Sequence, residues 1–582
     1  MRFKFGAVVI GTVAVALAAA GCQTNTGTTP TQSAAPPSGP LVYDNTAKGP
    51  APEIPGATKG GIISVLGSAD FDRFDPQADY RGDGIMVTGQ LLGRTLTSYY
   101  EADGKIRVVG DLATTTGEQS DSCKTWKYTL RDGIKFEDGS AITSKDIAYG
   151  ISRSFDEGEA DGPTYLQRWL AGSDDYTAVY PGPFKNKGTI APGITTPDDK
   201  TISFKFKDSH CDFPLAAALL TTVPVPVAKD TGPGKYEDNV VSSGPYKIKK
   251  YVRGESLEFE KNASWDPNSD PVRHQFADGF KFDWTASDPD VVTERLVADG
   301  AADQSTIQWD TMSSAGMEKV TAAAQSRVVS GPTSFVSYMN INTIRVKDVA
   351  VRQALNYAYN KQAVLQIIGG EKAGSPATSI MSPVTPGYKK FDAYPAPLTG
   401  DPEKAKQLLQ GKTVPPLTYC WRSGSAVREK TAAAVKENLT KAGFVINTKS
   451  LDATNFYPTV GLKTTDCDLI SANWGQDFPD GNTVLGVIMA GSEASRPSGN
   501  SNLSYYNVDW ANAEELRLAG LADRTEAGVG YGNLDEKIMK TDAPVVPIYN
   551  RNNYTMLGSK VGGTFLSVAW GFPSLQNVYV KS

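Results

Sequence analysis

Residues 126–155 read WKYTLRDGIKFEDGSAITSKDIAYGISRSF, and this stretch predicts several elements in close succession. Trp126, Tyr128 and Leu130 alternate with polar residues, which is the period of a half-buried strand. The two Asp-Gly pairs that follow are typical of tight turns. Thr143–Asp146 has the spacing of a capping box, and the residues after it place their apolar side chains on one helical face. The stretch therefore predicts a strand, two turns and a capped helix.

The C-terminal half of the chain shows a different alternation. Strand-like runs begin at residues 417, 444 and 467, and an Ala-rich helical pattern covers 427–441. Strands that alternate with helices predict crossover connections and a parallel sheet. Ligands of such sheets bind beyond the carboxyl ends of the strands, so we expect a binding site directly after residue 474.

The N-terminus has the pattern of an export signal. Arg2 and Lys4 precede an apolar run from Phe5 to Ala20, which is shorter than the ~20 residues of a membrane-spanning helix. Residues 1–21 are therefore predicted to be a signal peptide. Residues 22–58 are rich in Thr, Pro, Ser and Gly and contain few large apolar side chains, so they predict a disordered tether.

Composition excludes several classes of function. The formal net charge is -6 and no basic block occurs, so nucleic acid is not expected as a partner. Only two histidines and no CxxC pair are present, which gives no basis for a transition-metal cage or a thiol–imidazole pair. The sequence contains no nucleophile elbow, HExxH motif or phosphate loop, so we expect neither enzymatic activity nor a cofactor.

Four stretches together resemble the signatures of the family 5 extracellular solute-binding proteins, the peptide and nickel receptors of ABC importers. They are residues 126–155, 242–265, 338–368 and 542–549. The resemblance implies an α/β, two-lobed, periplasmic-binding-protein-like (Venus flytrap) fold. We expect a first lobe from 59–285 plus 551–582, with an extra subdomain over 96–200, and a second lobe over 286–550.

The resemblance also implies a function. The expected protein is a monomeric receptor that captures short peptides in a cleft between the lobes and delivers them to ABC permease and ATPase subunits. The alternative is that the same scaffold binds a non-peptide solute, such as an oligosaccharide or a metal chelate. Ala19-Ala20-Gly21-Cys22 is similar to a bacterial lipobox, although Ala19 stands where Leu is usual. It implies a lipid on Cys22 and anchoring at the outer face of the cytoplasmic membrane; an ordinary secretory signal is the alternative.

The four remaining cysteines form an even set in a chain that is expected to be exported. Disulfides are then the default, and four cysteines allow three connectivities. The pairs Cys123–Cys211 and Cys420–Cys467 are expected because each stays within one predicted lobe, and four free thiols are the alternative.

The predicted binding residues follow the third strand of the C-terminal half. Asn473 to Asp480 reads NWGQDFPD and resembles the G-W-x-x-D stretch of the family, with Asn473 in place of the usual Gly. The resemblance implies that Asp477 pairs with the α-ammonium group of a peptide, because a cation in a closed cleft needs a fixed anion. The alternative is that Asp477 caps a turn. Trp474 is either a wall of the cleft or part of the core.

Two further residues are expected to contact the ligand. The family's loop after the first strand borders the cleft, which places Phe74 of the segment 71–76 at the rim. Arg422 directly follows the strand LTYCW and is a candidate partner for a ligand carboxylate, with a solvated loop arginine as the alternative.

Overall fold

The computed structural model describes residues 41–102, 105–159, 162–186, 189–286, 288–496 and 499–582. The predicted signal peptide over 1–21, the lipidation site Cys22 and the beginning of the tether lie outside these residues. Across the described ranges, no helix combines the length and the apolar character needed to cross a bilayer.

The strands are named in chain order: β1 (Val42–Asp44), β2 (Ile62–Leu66), β3 (Thr97–Ala102), β4 (Lys105–Gly110), β5 (Glu118–Ser120), β6 (Thr125–Thr129), β7 (Ile194–Asp198), β8 (Thr201–Lys205), β9 (Tyr246–Val252), β10 (Ser256–Lys261), β11 (Gly279–Asp283), β12 (Thr306–Gln308), β13 (Val328–Ile341), β14 (Gly374–Pro376), β15 (Leu417–Arg422), β16 (Ile446–Leu451), β17 (Leu469–Trp474), β18 (Val545–Met556), β19 (Val561–Gly562) and β20 (Tyr579–Val580).

The α-helices are named in the same way: α1 (Gly82–Val87), α2 (Ser144–Arg153), α3 (Tyr165–Ala171), α4 (Tyr176–Val179), α5 (Phe213–Ala216), α6 (Pro289–Ala298), α7 (Ser314–Lys319), α8 (Val349–Ala358), α9 (Lys361–Ile368), α10 (Pro402–Leu409), α11 (Ala426–Lys441), α12 (Phe456–Val460), α13 (Asn482–Ile488), α14 (Gly491–Ser495), α15 (Asp509–Ala519) and α16 (Arg524–Asp542).

The first lobe is built on a five-stranded sheet in the order β12-β2-β11-β10-β9. β2 pairs in parallel with both β11 and β12, whereas β9, β10 and β11 are antiparallel. Ile63 and Val65 of β2 are fully buried in a core that includes residues of the C-terminal tail, Leu566 and Leu575 among them. The first lobe is therefore completed by the last part of the chain.

The second lobe contains the α/β arrangement that the sequence predicts. β15 pairs in parallel with β16 and β17, and α11 connects β15 to β16. Ala432, Val435 and Leu439 form the buried side of α11. The sheet is mixed rather than parallel throughout, because its order is β14-β18-β13-β17-β15-β16 and β13 runs antiparallel to its neighbours.

Two long strands connect the lobes. Val328–Pro332 of β13 pairs with Asn552–Met556 of β18 beside the first lobe, and the pairing resumes at Val336 opposite Asn550 within the second lobe. The register shifts between Pro332 and Val336. The ladder is thus interrupted where the two strands pass from one lobe to the other.

The boundary expected at residue 285 lies too early. β12 extends the sheet of the first lobe, and the cluster that packs α6 and α7 includes Leu66 of β2. The chain therefore enters the second lobe within β13. A three-residue strand such as β12 carries too little period for the sequence to reveal it.

The subdomain expected over 96–200 contains a four-stranded sheet in the order β5-β6-β8-β7. Its helix α2 begins with the predicted capping box, in which the Thr143 amide and hydroxyl both donate to Asp146. The sheet reaches Lys205, slightly beyond the expected end. The core of the subdomain continues into the second lobe through buried residues of α13 and α16, so the two lobes are closed on each other.

The tether expected over 22–58 ends earlier than predicted. Val42–Asp44 forms β1, which pairs in parallel with Arg107–Val109 of β4. Asn45 accepts hydrogen bonds from the amide and hydroxyl of Thr116. Leu41 and Tyr43 are also partly buried against the core. Backbone pairing and these two contacts order the segment, although its content of Thr, Pro, Ser and Gly did not indicate structure.

Both expected disulfides are present. Cys123 and Cys211 are joined in the subdomain, and Cys420 and Cys467 are joined between β15 and the residues that precede β17.

Two clusters of buried charges in the first lobe are paired. Arg94 and Arg273 share Asp111 and Asp270, and all four side chains are at most 2% exposed. Arg153, also buried, donates to three carboxylates: Asp75 at 2.6 Å, Glu159 at 3.2 Å and Asp230 at 2.7 Å. These clusters tie α2 and several loops together without leaving a cation or anion isolated.

Candidate ligand-binding cleft

A cleft of about 1510 Å³ lies between the two lobes. The first lobe contributes Tyr80 and Asp310 to its wall, and the second contributes Arg422 and Asp477. Asn553 of the connecting strand β18 also lines it. The volume exceeds the roughly 300–1,000 Å³ typical of sites for drug-sized molecules.

Strand direction explains why polar residues converge here. β2 and β12 are parallel and end at Leu66 and Gln308, and Trp309 and Asp310 follow β12 into the cleft. In the second lobe β15 and β17 are parallel and deliver Arg422 and Trp474 to the same edge. The carboxyl ends of strands from both sheets therefore face the cleft, as expected for sheets of this kind.

Asp477 receives hydrogen bonds from the opposite lobe. The hydroxyl of Tyr165 donates to its Oδ2 at 2.5 Å and that of Tyr80 donates to its Oδ1 at 2.9 Å. The described residues include no cationic side chain within salt-bridge distance of this carboxylate. Two neutral donors hold the group in place, but its charge is not neutralised.

The environment of Asp477 changes its acidity. Burial raises the pKa of Asp477 to about 6, although the hydroxyls of Tyr165 and Tyr80 and the positive charge of Arg168 oppose the shift. An ammonium group in contact with the carboxylate would favour the ionised form and bring the pKa down again.

The turn-capping role belongs to a neighbour rather than to Asp477. Asp480 accepts from the amide of Asn482 at 2.9 Å and from Arg524 at 2.5 and 3.2 Å. It is 4% exposed, and its charge is fully paired. The two aspartates of the NWGQDFPD stretch thus have separate tasks, and the one that lines the cleft lacks a cation.

Trp474 and Asn473 both line the cleft. The indole N–H of Trp474 donates to the carbonyl of Thr483 at 2.8 Å, which fixes the ring while leaving one side of it in the wall. Asn473 is exposed and pairs with Ser337 of β13. Gln476 is 6% exposed, and its Oε1 has no hydrogen-bond partner among the described residues.

Arg422 is half-buried in the cleft wall. In the described part of the chain its Nε has no hydrogen-bond partner, and no carboxylate there forms an ion pair with it. Partial burial, followed by the positive charge of Arg422, lowers the pKa of Arg428, so these two arginines lie near each other. This end of the cleft therefore carries a positive charge, that of Arg422, which no carboxylate of the described residues pairs.

Phe74 does not border the cleft, contrary to the prediction. It is fully buried, and its ring centroid lies 5.8 Å from that of Phe71 and 5.6 Å from that of Tyr251. Asp75 in the same loop is bound by Arg153. Only Asp72 of this loop reaches the cleft wall. The loop resembles that of the family, but its aromatic side chains point into the lobe.

Sequence reasoning missed the residues that the first lobe supplies. Tyr80 and Tyr165 lie 397 and 312 positions from the carboxylate that they contact, and no local pattern connects them to it. Trp309 and Asp310 follow the short β12, which was not predicted.

The fold and the cleft define a class of protein: a solute-binding protein whose two lobes enclose its ligand. The model of the bacterial extracellular solute-binding proteins, family 5, matches residues 107–496, more than half of the chain. The chain belongs to this family, whose members are the solute-binding proteins of ABC importers. The family membership confirms the resemblance and the expectation of a binding protein rather than an enzyme.

Individual relatives and solved structures support the same family and fold. The probable D,D-dipeptide-binding periplasmic protein DdpA of Escherichia coli (strain K12) is 22% identical over 533 residues, 88% of this chain and 92% of that protein. The structure of clavulanic acid biosynthesis oligopeptide binding protein 2 matches with a TM-score of 0.82 and 26% identity over 92% of this chain and 100% of that chain. The structure of DppA from Helicobacter pylori in complex with the peptide STSA matches with a TM-score of 0.70 and 20% identity over 90% of this chain and 99% of that one. The expected two-lobed fold is confirmed.

Proposed function

We propose that this protein is a lipid-anchored receptor that captures short peptides between its lobes and delivers them to an ABC permease. The observation that carries the proposal is the unpaired carboxylate of Asp477 at a strand end inside the cleft. A desolvated anion without a cation is unfavourable, and a ligand ammonium supplies that cation. The names of the relatives, which mention dipeptide and oligopeptide binding, support the same ligand class.

The opposite charges of the cleft suit the two ends of a peptide. Asp477 receives the α-ammonium group, and Arg422 receives the carboxylate. The end of β17, at the exposed residue Asn473, adds main-chain hydrogen bonds that do not depend on side-chain identity. The cleft volume leaves room for several residues.

Closure follows from the same contacts. Asp477 belongs to the second lobe, whereas Tyr80 and Tyr165 belong to the first, so the hydrogen-bonded surroundings of the anchor exist only when the lobes meet. A ligand that needs the complete set binds the closed form better than the open one, and its binding shifts the population toward closure.

Calorimetry with tetra-alanine tests the ammonium anchor. Asp477→Asn is expected to lower the affinity about 100-fold, because loss of one partner of a desolvated charge pair costs about 2–5 kcal/mol. N-acetylation of the peptide is expected to have a similar effect, and the acetylated peptide should bind both proteins equally. Asp199→Asn, which removes an exposed charge paired with Lys145 on the surface, is the control. Equal affinities of the free and acetylated peptides for the native protein would refute the proposal.

The carboxylate end is tested in the same way. Arg422→Gln and amidation of the peptide C-terminus should each weaken binding, and the two effects should not add. Arg517→Gln, a surface arginine paired with Glu514, is the matched control. If the peptide amide bound as tightly as the free acid, Arg422 would not be the partner of the peptide carboxylate. If no peptide binds, mass spectrometry of the co-purified solute tests the non-peptide alternative.

The lipid anchor is tested separately. Cys22→Ser is expected to abolish labelling by an alkyne fatty acid and to move the protein from the membrane fraction to the medium or periplasm. A variant that remains in the membrane fraction would contradict the anchor. Uptake of labelled tetra-alanine by cells that carry only Asp477→Asn should fall to the level without the receptor, which tests delivery.

A further inference from the structure

A second group of polar side chains lines the part of the cleft wall that the first lobe and β18 contribute. Asp310 follows β12, is half-buried, and lines the cleft. It accepts from the amide and hydroxyl of Ser68 at 2.6 and 3.0 Å. Within the described ranges, no Lys, Arg or His lies within salt-bridge distance of it. Its position is fixed, while its charge is available to a ligand.

Asn553 lies on β18, next to the segment that carries Asp310, and lines the same cleft. Thr311, the residue after Asp310, exchanges hydrogen bonds with Tyr554, the residue after Asn553. Asn553 is 4% exposed and lines the cleft, and its amide nitrogen donates to the carbonyl of Gly571 at 2.9 Å. Its Oδ1 has no partner among the described residues. A buried acceptor without a donor costs free energy unless a ligand supplies one.

Aromatic rings form the rest of this wall. Trp309 and Phe572 both line the cleft, and their ring centroids are 6.3 Å apart at an interplanar angle of 28°. Such rings cover an aliphatic chain and attract a cation at its end. The set therefore combines an apolar surface with two acceptors, one of them charged.

The other charges nearby do not cancel Asp310. Arg81 is engaged by Asp72 and Asp83, so the first-lobe wall carries an excess of negative charge. Arg551 lies two residues from Asn553 and also lines the cleft, yet it forms no ion pair with Asp310 in the described part of the chain. A cationic ligand group is the partner that the wall lacks.

We propose that Asp310 and Asn553, with Trp309 and Phe572, form a subsite for a lysine or arginine side chain of the bound peptide. The proposal rests on the proposed peptide-binding function and adds a side-chain preference to it. The ammonium or guanidinium group binds Asp310 and Asn553 Oδ1, and the methylene chain packs on the two rings.

The test is a calorimetric scan of tetra-alanine in which each position in turn carries lysine or norleucine. At one position, lysine is expected to bind about tenfold or more tightly than norleucine, since a hydrogen bond to a charged group contributes about 1.5–3 kcal/mol. Asp310→Asn should remove that preference, measured as the ratio of the affinities for the lysine and norleucine peptides. Asp199→Asn should keep it.

The outcomes separate the two proposals. Tetra-alanine binding with no lysine preference at any position would overturn the subsite alone. A lysine preference that persists in Asp310→Asn would also overturn it. Failure of every peptide to bind would overturn both the subsite and the peptide receptor. The scan of the unmutated protein needs no variant to fold, so the subsite remains falsifiable if Asp310→Asn is unstable.

Discussion

The buried arginine clusters of the first lobe and the charges of the cleft are arranged in opposite ways. Arg153 is surrounded by three carboxylates, and Arg94 and Arg273 share two. In the cleft, Asp477, Asp310 and Arg422 have no ionic partner among the described residues. The difference separates charges that hold the fold from charges that await a ligand. It also appears within one loop, where Asp480 is paired and Asp477 is not.

The largest expected effect concerns the paired region. Arg153→Met leaves Asp75, Glu159 and Asp230 buried together without their shared cation. Loss of one partner of a buried ionic group typically costs about 3–5 kcal/mol. We expect the free energy of unfolding, measured by urea titration, to fall by about that amount. A loss below about 1 kcal/mol would show that this cluster is not structural.

The next comparison is between the two aspartates of one loop. Asp480→Asn removes the carboxylate that Arg524 contacts at 2.5 Å and should cost about 3 kcal/mol of stability. Asp477→Asn should leave the ligand-free protein equally stable or more stable at pH 7.5, because it removes a desolvated charge that has no cation. Thermal unfolding of both variants without ligand measures the contrast. A larger loss of stability from Asp477→Asn than from Asp480→Asn would show that Asp477, and not Asp480, is the carboxylate that stabilises the fold.

The pH dependence of binding sharpens the assignment of Asp477. Its pKa of about 6 in the ligand-free protein means that the carboxylate loses its charge as the pH falls through this value. Peptide affinity should be highest above pH 6 and decrease below it by up to about tenfold per pH unit. The peptide termini titrate mainly outside the range 5 to 7. Calorimetry at several pH values should show this decrease in the native protein and not in Asp477→Asn.

The stability of the ligand-free protein should respond to the same group with the opposite sign. The folded-state pKa of Asp477 is raised, so the folded protein binds the additional proton between pH 4 and 6. This group therefore favours the folded state most at low pH, and its contribution is lost as the pH rises through about 6. The difference in unfolding temperature between the native protein and Asp477→Asn, measured as a function of pH, separates the contribution of Asp477 from those of other carboxylates.

The smallest expected effect concerns the tyrosines that position the anchor. Tyr165→Phe and Tyr80→Phe each remove one hydroxyl donor, and affinity should fall about three- to tenfold. Both hydroxyls lower the pKa of Asp477, so each change should also move the midpoint of the pH profile upward. Tyr457→Phe, at the mouth of the cleft, is the control for loss of a hydroxyl. An unchanged midpoint would show that the tyrosines are only packing residues.

Much of the second lobe was predictable from the sequence. The strand periods, the helix predicted over 427–441 and the motif at 473–480 are local patterns. The four residues that they indicated, Asp477, Trp474, Asn473 and Arg422, line the cleft, and their contact with a ligand stays a prediction. The disulfide pairs were also predicted correctly. Each of these depends on neighbours in sequence or on a choice among few alternatives.

The other half of the cleft was not predictable in this way. Tyr80 and Tyr165 reach Asp477 only because the lobes close, and Asp310 follows a strand of three residues. Phe74 was assigned to the rim because its loop borders the cleft, but a loop pattern does not show which side chains turn inward. The lobe boundary expected near residue 285 was wrong because β12, which extends the sheet of the first lobe beyond that residue, is too short to be recognised from its sequence.

The return of the C-terminal tail to the first lobe has a consequence for biogenesis. Leu566, Leu575 and Val578 belong to the core that β2 opens about five hundred residues earlier. During synthesis the ribosome still holds these residues when the rest of that lobe has emerged. The core of the first lobe is therefore incomplete until these residues are available, so this lobe cannot finish folding while they remain in the ribosome.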